Sequence, residues 1–217
     1  MHPMIDRGAV IGHERGIVTS ASLMVNGRSA ATAAAAIRRL PRLSVGLHLD
    51  LGEWEHVDGG WRPVYEVVDM DDRAAVAREL DAQIARFRSL CGRPPTHIDS
   101  HQHVHSDGVV AEVVATTARR VGLPVRGGSA RHIGGFYGQT GTGEPYPEGI
   151  RLEGLIGTIR GLGPGVSELG CHPAAGESLP PYSRERVEEL RVLCHPAVHA
   201  AIREEGVVLV TPRVLAG

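Results

Sequence analysis

Apolar and polar positions alternate along this chain in two rhythms, one of strands and one of helices. "GIVTSASLMVN" (16–26) concentrates Val, Ile, Thr and Ser and predicts a buried strand. "SAATAAAAIRRL" (29–40) offers Ser29 as an N-cap, then strong helix formers, and Pro41 stops it. "LSVGLHLDL" (43–51) is a near-continuous apolar run, the pattern of a parallel strand covered on both faces. A polar loop rich in Gly and Trp is expected over 52–63. Helical spacing returns in 72–90 through Val76, Leu80, Ile84, Phe87 and Leu90. "THID" (96–99) predicts a short strand, and 107–121 a helix through Val110, Val113, Ala118 and Val121. "LPVRGG" reads as a short strand and turn, and 127–150 as a long Gly-rich surface loop. A helix near 151–161, a strand "SELGCH" (167–172), a helix near 183–204 and a closing strand "GVVLVTP" (206–212) complete the pattern. Alternating strands and helices imply an α/β protein with a parallel sheet, open or closed into a barrel.

Composition narrows this. A chain of 217 residues is long enough for one domain, 1–217, with a large core. With a net charge of −2 and no basic run, nothing suggests a nucleic-acid partner, and none is expected. The longest apolar stretch, the alanine run near 30–37, is too short to span a bilayer, so no membrane partner is expected. No signal pattern opens the chain, which predicts a cytoplasmic protein. Cys91, Cys171 and Cys194 show no CxxC spacing, which argues against a disulfide framework or a cysteine zinc site. Cys171–His172 and Cys194–His195 are sequence neighbours that point apart in a strand, so they are poor nucleophile pairs.

The chemistry concentrates in "PTHIDSHQHVH" (95–105). His97, His101, His103 and His105, four of the twelve histidines, fall here around Asp99 and Ser100. Such a cluster at a strand end suits a metal or an acid–base site. On a helical turn His101 and His105 would share a face, and in an extended segment His101 and His103 would. Both geometries stay open. His103, His105, Asp99 and Asp50 are further metal-site or supporting candidates, Asp99 as a carboxylate that orients an imidazole. His48 in "VGLHLDL" and His172 in "SELGCH" also lie at strand ends. The remaining histidines, His2, His13, His56, His132, His195 and His199, read as surface or structural groups. Asp69, Asp71 and Asp72 read as a helix N-cap and solvated first turn.

On these residues the chain resembles the YdjC-like carbohydrate deacetylases, which include chitooligosaccharide deacetylases. "GIVTSASLMVN", "VGLHLDL", "RPPTHIDSHQHVH", "GLPVR", "FYG", "ELGCHPA" and the tail from "YSRERVEEL" to "GVVLVT" occur in the family's order. The resemblance implies a distorted (β/α) barrel of the polysaccharide-deacetylase type. It implies one divalent cation, Mg²⁺ or alternatively Zn²⁺, and hydrolysis of the acetamide of a small N-acetylated sugar or oligosaccharide. It assigns His48 and His101 as metal ligands and His172 as general acid or transition-state stabiliser. It gives Arg126 the positioning of substrate or of a carboxylate.

The family also carries an Ala-Asp-Asp-Phe-Gly motif at the end of a first strand, supplying a metal ligand and the general base. Residues 2–8, "HPMIDRG", match the segment that follows that motif. The resemblance therefore implies that the barrel's first strand and its aspartate pair are missing from the chain as written. The working enzyme is then expected to begin further upstream. The alternative expectation is a degenerate, non-catalytic sugar- or metal-binding protein of the same fold. The sheet edge left open would invite pairing into a homodimer.

Overall fold

The computed structural model describes residues 2–176 and 183–215. The chain divides into two compact units, Met1–Thr19 with Ser129–Val210 and Ser20–Gly128 with Thr211–Gly217.

The first unit opens on helix α1 (Pro3–Arg15). Pro3 stands at its start, where the missing N–H costs nothing, and the His2 ring accepts the Met4 N–H at 3.2 Å. Apolar periodicity gives no sign of this helix, because its buried positions are Gly8 and Gly12. The glycines allow backbone to touch backbone. A Cβ on Gly8 would stand 2.5 Å from Ala174 Cα and from the Pro173 carbonyl oxygen.

The second unit is built on a parallel sheet of β1 (Ser20–Leu23), β2 (Ser44–Leu49) and β5 (Ile98–Ser100), in the order β1-β2-β5. Between the strands of this sheet lie α2 (Ala30–Ile37), the hairpin β3 (Gly52–Val57) and β4 (Gly60–Glu66), and α3 (Arg73–Cys91). After β5 come a 3₁₀ segment (His101–Ser106) and α4 (Gly108–Val121). Registers Leu23↔Leu47, Leu47↔Ile98 and His48↔Asp99 align the strand ends. Side chains alternate across a strand. Val45, Leu47 and Leu49 therefore form one fully buried face of β2, and Gly46 and His48 belong to the other. The apolar-looking run "SVGLHL" thus hides a functional face whose members are small or polar.

Several sequence expectations are met here. The Asp72 carboxylate caps α3, accepting the N–H groups of Ala74 and Ala75, and Gly92 closes the helix in the left-handed region. Val76, Leu80, Ile84 and Phe87 form its buried stripe, joined by Gln83 and Cys91, while Leu90 is only half-buried. Asp107 caps α4. Ser29 makes no side-chain cap on α2.

Other expectations are corrected. The stretch 52–63, expected as a loop, forms most of an antiparallel hairpin, β3 with β4. Asp58 and Gly59, both at positive φ, make its turn, the Asp-Gly signal of a two-residue hairpin. "LPVRGG" forms only an isolated bridge, Ile98↔Val125, because the chain turns away at Gly127 (φ 73°). Among the described residues no sheet closes into a barrel: the strands form the three-stranded sheet, the hairpin and one separate parallel pair.

That pair, β6 (Arg131–Ile133) with β7 (Ser167–Leu169), lies in the first unit with α5 (Leu152–Arg160), α6 (Ser183–Leu193) and α7 (Pro196–Glu204). The 127–150 loop therefore carries one short strand and a 3₁₀ turn at Pro147–Ile150. The single helix expected over 183–204 is two, because Pro196 cannot continue a helix and starts a new one capped by the His195 ring. The strand expected over 206–212 is not formed. Val208 and Leu209 are 76% and 46% exposed, and no described strand pairs with them. β-branched residues favour a strand only where a neighbouring ladder exists. No described helix is long and apolar enough to cross a membrane.

Two glycines separate these packing effects. Gly8→Ala is expected to destabilise the protein by about 1–3 kcal/mol through backbone overlap. Gly154→Ala, in α5 with open space around it, is expected to stabilise by roughly 0.5–1 kcal/mol through helix propensity. Urea unfolding of both variants reads the opposite signs.

Candidate functional site

The functional face of the second unit's sheet gathers Asp99, His48, Ser22 and Arg126. Asp99 is fully buried. His48 Nδ1 lies 2.7 Å from Asp99 Oδ1, the Ser22 hydroxyl donates to Oδ2 at 2.8 Å, and Arg126 Nη2 lies 2.8 Å from the same oxygen. Burial alone would push this carboxyl's pKa up. The contacts with His48 first, then with Arg126 and His97, together outweigh it and hold the carboxyl well below the usual carboxylate range. Removing a carboxylate from water costs several kcal/mol, and two cationic or hydrogen-donating partners on opposite oxygens offset that cost. An ionised Asp99 must accept from His48, so His48 carries a hydrogen on Nδ1, and in the neutral ring the lone pair is on Nε2.

His101 opens the 3₁₀ segment after β5. Its ring stands edge-on to His48, with centroids 5.8 Å apart. The geometry of 101–105 is neither a regular helix nor a strand, because Gln102 (φ 48°) and His103 (φ 57°) take left-handed backbone. Such backbone is rare outside glycine and persists where surroundings impose it. Here the Gln102 side chain binds both backbone groups of Trp54: Oε1 accepts its N–H at 2.8 Å and Nε2 donates to its carbonyl at 2.6 Å. The kink separates the histidines. His103 lies on the exposed side. His105 turns back, with Nδ1 2.6 Å from Ser100 Oγ, and burial pushes its pKa down. His48 and His101 are thus brought together, and His103 and His105 pair with each other at 6.1 Å.

Asp50, two residues past His48, is buried and accepts the Tyr65 hydroxyl at 2.9 Å. Burial raises its pKa against the Tyr65 hydrogen bond, and burial together with Asp50 raises that of Tyr65. Its backbone is clamped by Gln83, which accepts the Asp50 N–H and donates to its carbonyl.

His172 belongs to the first unit, just after β7. Its N–H donates to the buried Glu189, its carbonyl accepts Arg186 Nη1 at 3.2 Å, and its ring lies 4.7 Å from that of Tyr137. Sequence reasoning passed over Glu189, Arg186 and Tyr137, and also Ser22. The alternation of Ser20 and Ser22 with Ala21 and Leu23 was the one signal that could have marked Ser22 as facing a site.

Two imidazoles are the right donor type for a divalent cation, and the Asp99–His48 contact is the arrangement that orients a metal-binding histidine. Protein sites usually supply at least three ligands. Among the described residues no group of three or more His, Cys, Asp and Glu is arranged to hold a metal ion. Among the described residues, His48 and His101 by themselves fall short of such a set.

A buried carboxylate–histidine pair at the ends of parallel strands defines an α/β protein with a polar site on its sheet. The family model for YdjC-like proteins matches residues 1–204, and the chain belongs to that family. It is 35% identical to a carbohydrate deacetylase of Geobacillus stearothermophilus, over 96% of this chain and 91% of that protein. A chitooligosaccharide deacetylase of Serratia marcescens is 32% identical, over 93% and 90%. The fold is similar to a crystal structure of an Enterococcus faecalis protein described as a cellobiose-phosphate cleavage protein, with TM-score 0.80, 24% identity, and coverage of 100% of this chain and 95% of that one.

The Asp99–Arg126 contact yields a direct test. Asp99→Ala is expected to cost on the order of 3–5 kcal/mol, because Arg126 and His48 lose their shared partner. Arg126→Ala should cost less, since Asp99 keeps two donors. In the double variant the losses should fall short of additivity by about 0.5–3 kcal/mol, measured by urea unfolding. Additive losses would mean that the pair contributes no coupling.

Proposed function

We propose that this protein is a hydrolase that removes the acetyl group from small N-acetylated sugars. The observation that carries the reading is His48, held by buried Asp99 through Nδ1 so that Nε2 is presented beside His101. The names of its relatives, carbohydrate and chitooligosaccharide deacetylases at 29–35% identity, support the substrate class. One divalent cation, Mg²⁺ or alternatively Zn²⁺, would be held by His48 and His101 with donors beyond these two. When bound, such an ion supplies polarisation of the acetamide carbonyl and a more acidic water.

The chain's own residues do the rest. Asp99 keeps His48 in the Nδ1–H tautomer and fixes the ring's direction. Arg126 touches the carboxylate at 2.8 Å, so it acts as a positioning residue rather than on the sugar. For His172, set in the first unit by Glu189 and Arg186, the resemblance implies the role of general acid or transition-state stabiliser. Cys91, Cys171 and Cys194 are free thiols, which supports action in the cytoplasm. A second reading, binding of sugar or metal without turnover, is favoured by the incomplete donor set among the described residues.

Release of acetate from N,N′-diacetylchitobiose, after chelation and then with Mg²⁺ or Zn²⁺ restored, tests both readings. Turnover that returns with the cation, and falls about 10²-fold or more in His48→Ala and His101→Ala, is the outcome expected. His172→Ala should lower kcat with little change in KM. Sugar binding by calorimetry with no acetate released under any condition would establish the second reading instead.

A further inference from the structure

Behind Asp99 the second unit holds a row of polar side chains that hydrolysis, as described, does not use. Ser22 Oγ lies 3.1 Å from His97 Nε2. His97 Nδ1 lies 2.9 Å from Thr96 Oγ1, and that oxygen lies 2.7 Å from Ser44 Oγ. His97, Thr96 and Ser44 are all buried, His97 with 4% of its surface exposed.

Counting hydrogens orients the whole row. A hydroxyl has one hydrogen to give. Ser22 gives its own to Asp99 Oδ2, the oxygen that Arg126 Nη2 also meets at 2.8 Å. Ser22 must therefore accept from His97, so His97 carries its hydrogen on Nε2. In the neutral ring Nδ1 then accepts, and the hydroxyl of Thr96 donates to it. Thr96 in turn accepts from Ser44. Every donor points toward Asp99. The opposite tautomer would set two lone pairs face to face at Ser22. Each hydroxyl or imidazole in such a row polarises the next in the same sense.

The ring also has a built seat. A Cβ on Gly46 would stand 2.5, 2.5 and 2.6 Å from His97 Cδ2, Nε2 and Cε1. The imidazole lies against bare backbone of the neighbouring strand, a close approach that only glycine permits. β2 thus supplies both the seat for His97 and, two residues on, His48.

We propose that His97 is a positioning residue: as the neutral Nε2–H tautomer, seated on Gly46, it fixes the Ser22 hydroxyl on Asp99 and thereby holds His48 in its Nδ1–H form. Its bearing on catalysis rests on the deacetylase reading of His48; the hydrogen-bond order does not.

The test uses the full chain labelled with ¹⁵N-histidine, free of added metal, at neutral pH. Long-range ¹H–¹⁵N spectra should give His97 with hydrogen on Nε2 alone and His48 with hydrogen on Nδ1 alone. Exchange of the His48 Nδ1 hydrogen with solvent should quicken about tenfold in His97→Leu, the worth of one net hydrogen bond. Ser22→Ala, a smaller change, should quicken it to a similar degree and serves if the leucine variant does not fold. His97→Gln should restore slow exchange, because its amide can donate to Ser22 and accept from Thr96. An Nδ1–H or doubly protonated His97 would overturn the proposal, as would unchanged His48 exchange in both Ser22→Ala and a folded His97→Leu. If the expected spectra come from a protein that releases no acetate, the deacetylase reading fails and the hydrogen-bond order stands.

Discussion

Burying one carboxylate sets the terms for the rest of the second unit's sheet. Asp99 gains nothing from solvent, so each of its oxygens must be met by a donor on a neighbouring segment. Those donors come from β1 (Ser22), β2 (His48) and the stretch after β5 (Arg126). A one-residue slip of β2 against β5 would turn His48 to the opposite face and present Leu47 or Leu49 to the carboxylate. The charge thus specifies the register that the apolar faces alone would specify less sharply. Specificity bought by a buried charge is not general in proteins; here it follows from donors converging from three separate segments.

The same logic explains what could be read in the sequence. α3 and α4 bury continuous apolar stripes and carry aspartate caps, so local pattern and tertiary role agree. α1 buries glycines, and hydrophobic periodicity has nothing to register there. The hairpin is nearly all exposed along β4, so its only mark is Asp58–Gly59. Residues 207–210 have strand composition and no described partner, which shows that a strand is a property of two segments and never of one. Pro196 splits a run of helical spacing that periodicity alone would join.

The candidate site was legible in its types and not in its geometry. Four histidines within nine residues announce chemistry, yet the kink at Gln102 and His103 decides which of them face together. That kink depends on Trp54, 48 positions earlier, whose backbone the Gln102 amide grips at both ends. Ser22 was only weakly marked, for a related reason. Nothing distinguishes it from Ser20 until the register sets it against Asp99 across 77 positions of chain. Resemblance to the family brought forward His48, His101, His172 and Arg126, but not the side chains that orient them.

The histidines of the second unit therefore divide by what their second nitrogen meets. His48 turns one nitrogen to a carboxylate, which fixes the ring and leaves the other nitrogen facing away from Asp99. His105 is turned toward a serine in a buried place, and burial favours its neutral form. His97 has a hydroxyl at each nitrogen, so it can carry direction through the core without carrying charge. A Lys or Arg in its place would bring a second cation beside Arg126 and weaken the need for His48 as a partner of Asp99. An apolar residue would leave Ser22 without its donor. Neutral imidazole is the one ordinary ring with a donor and an acceptor on opposite sides. That is the property needed to link the Thr96 hydroxyl to the Ser22 hydroxyl while leaving Asp99 the only net charge in the row.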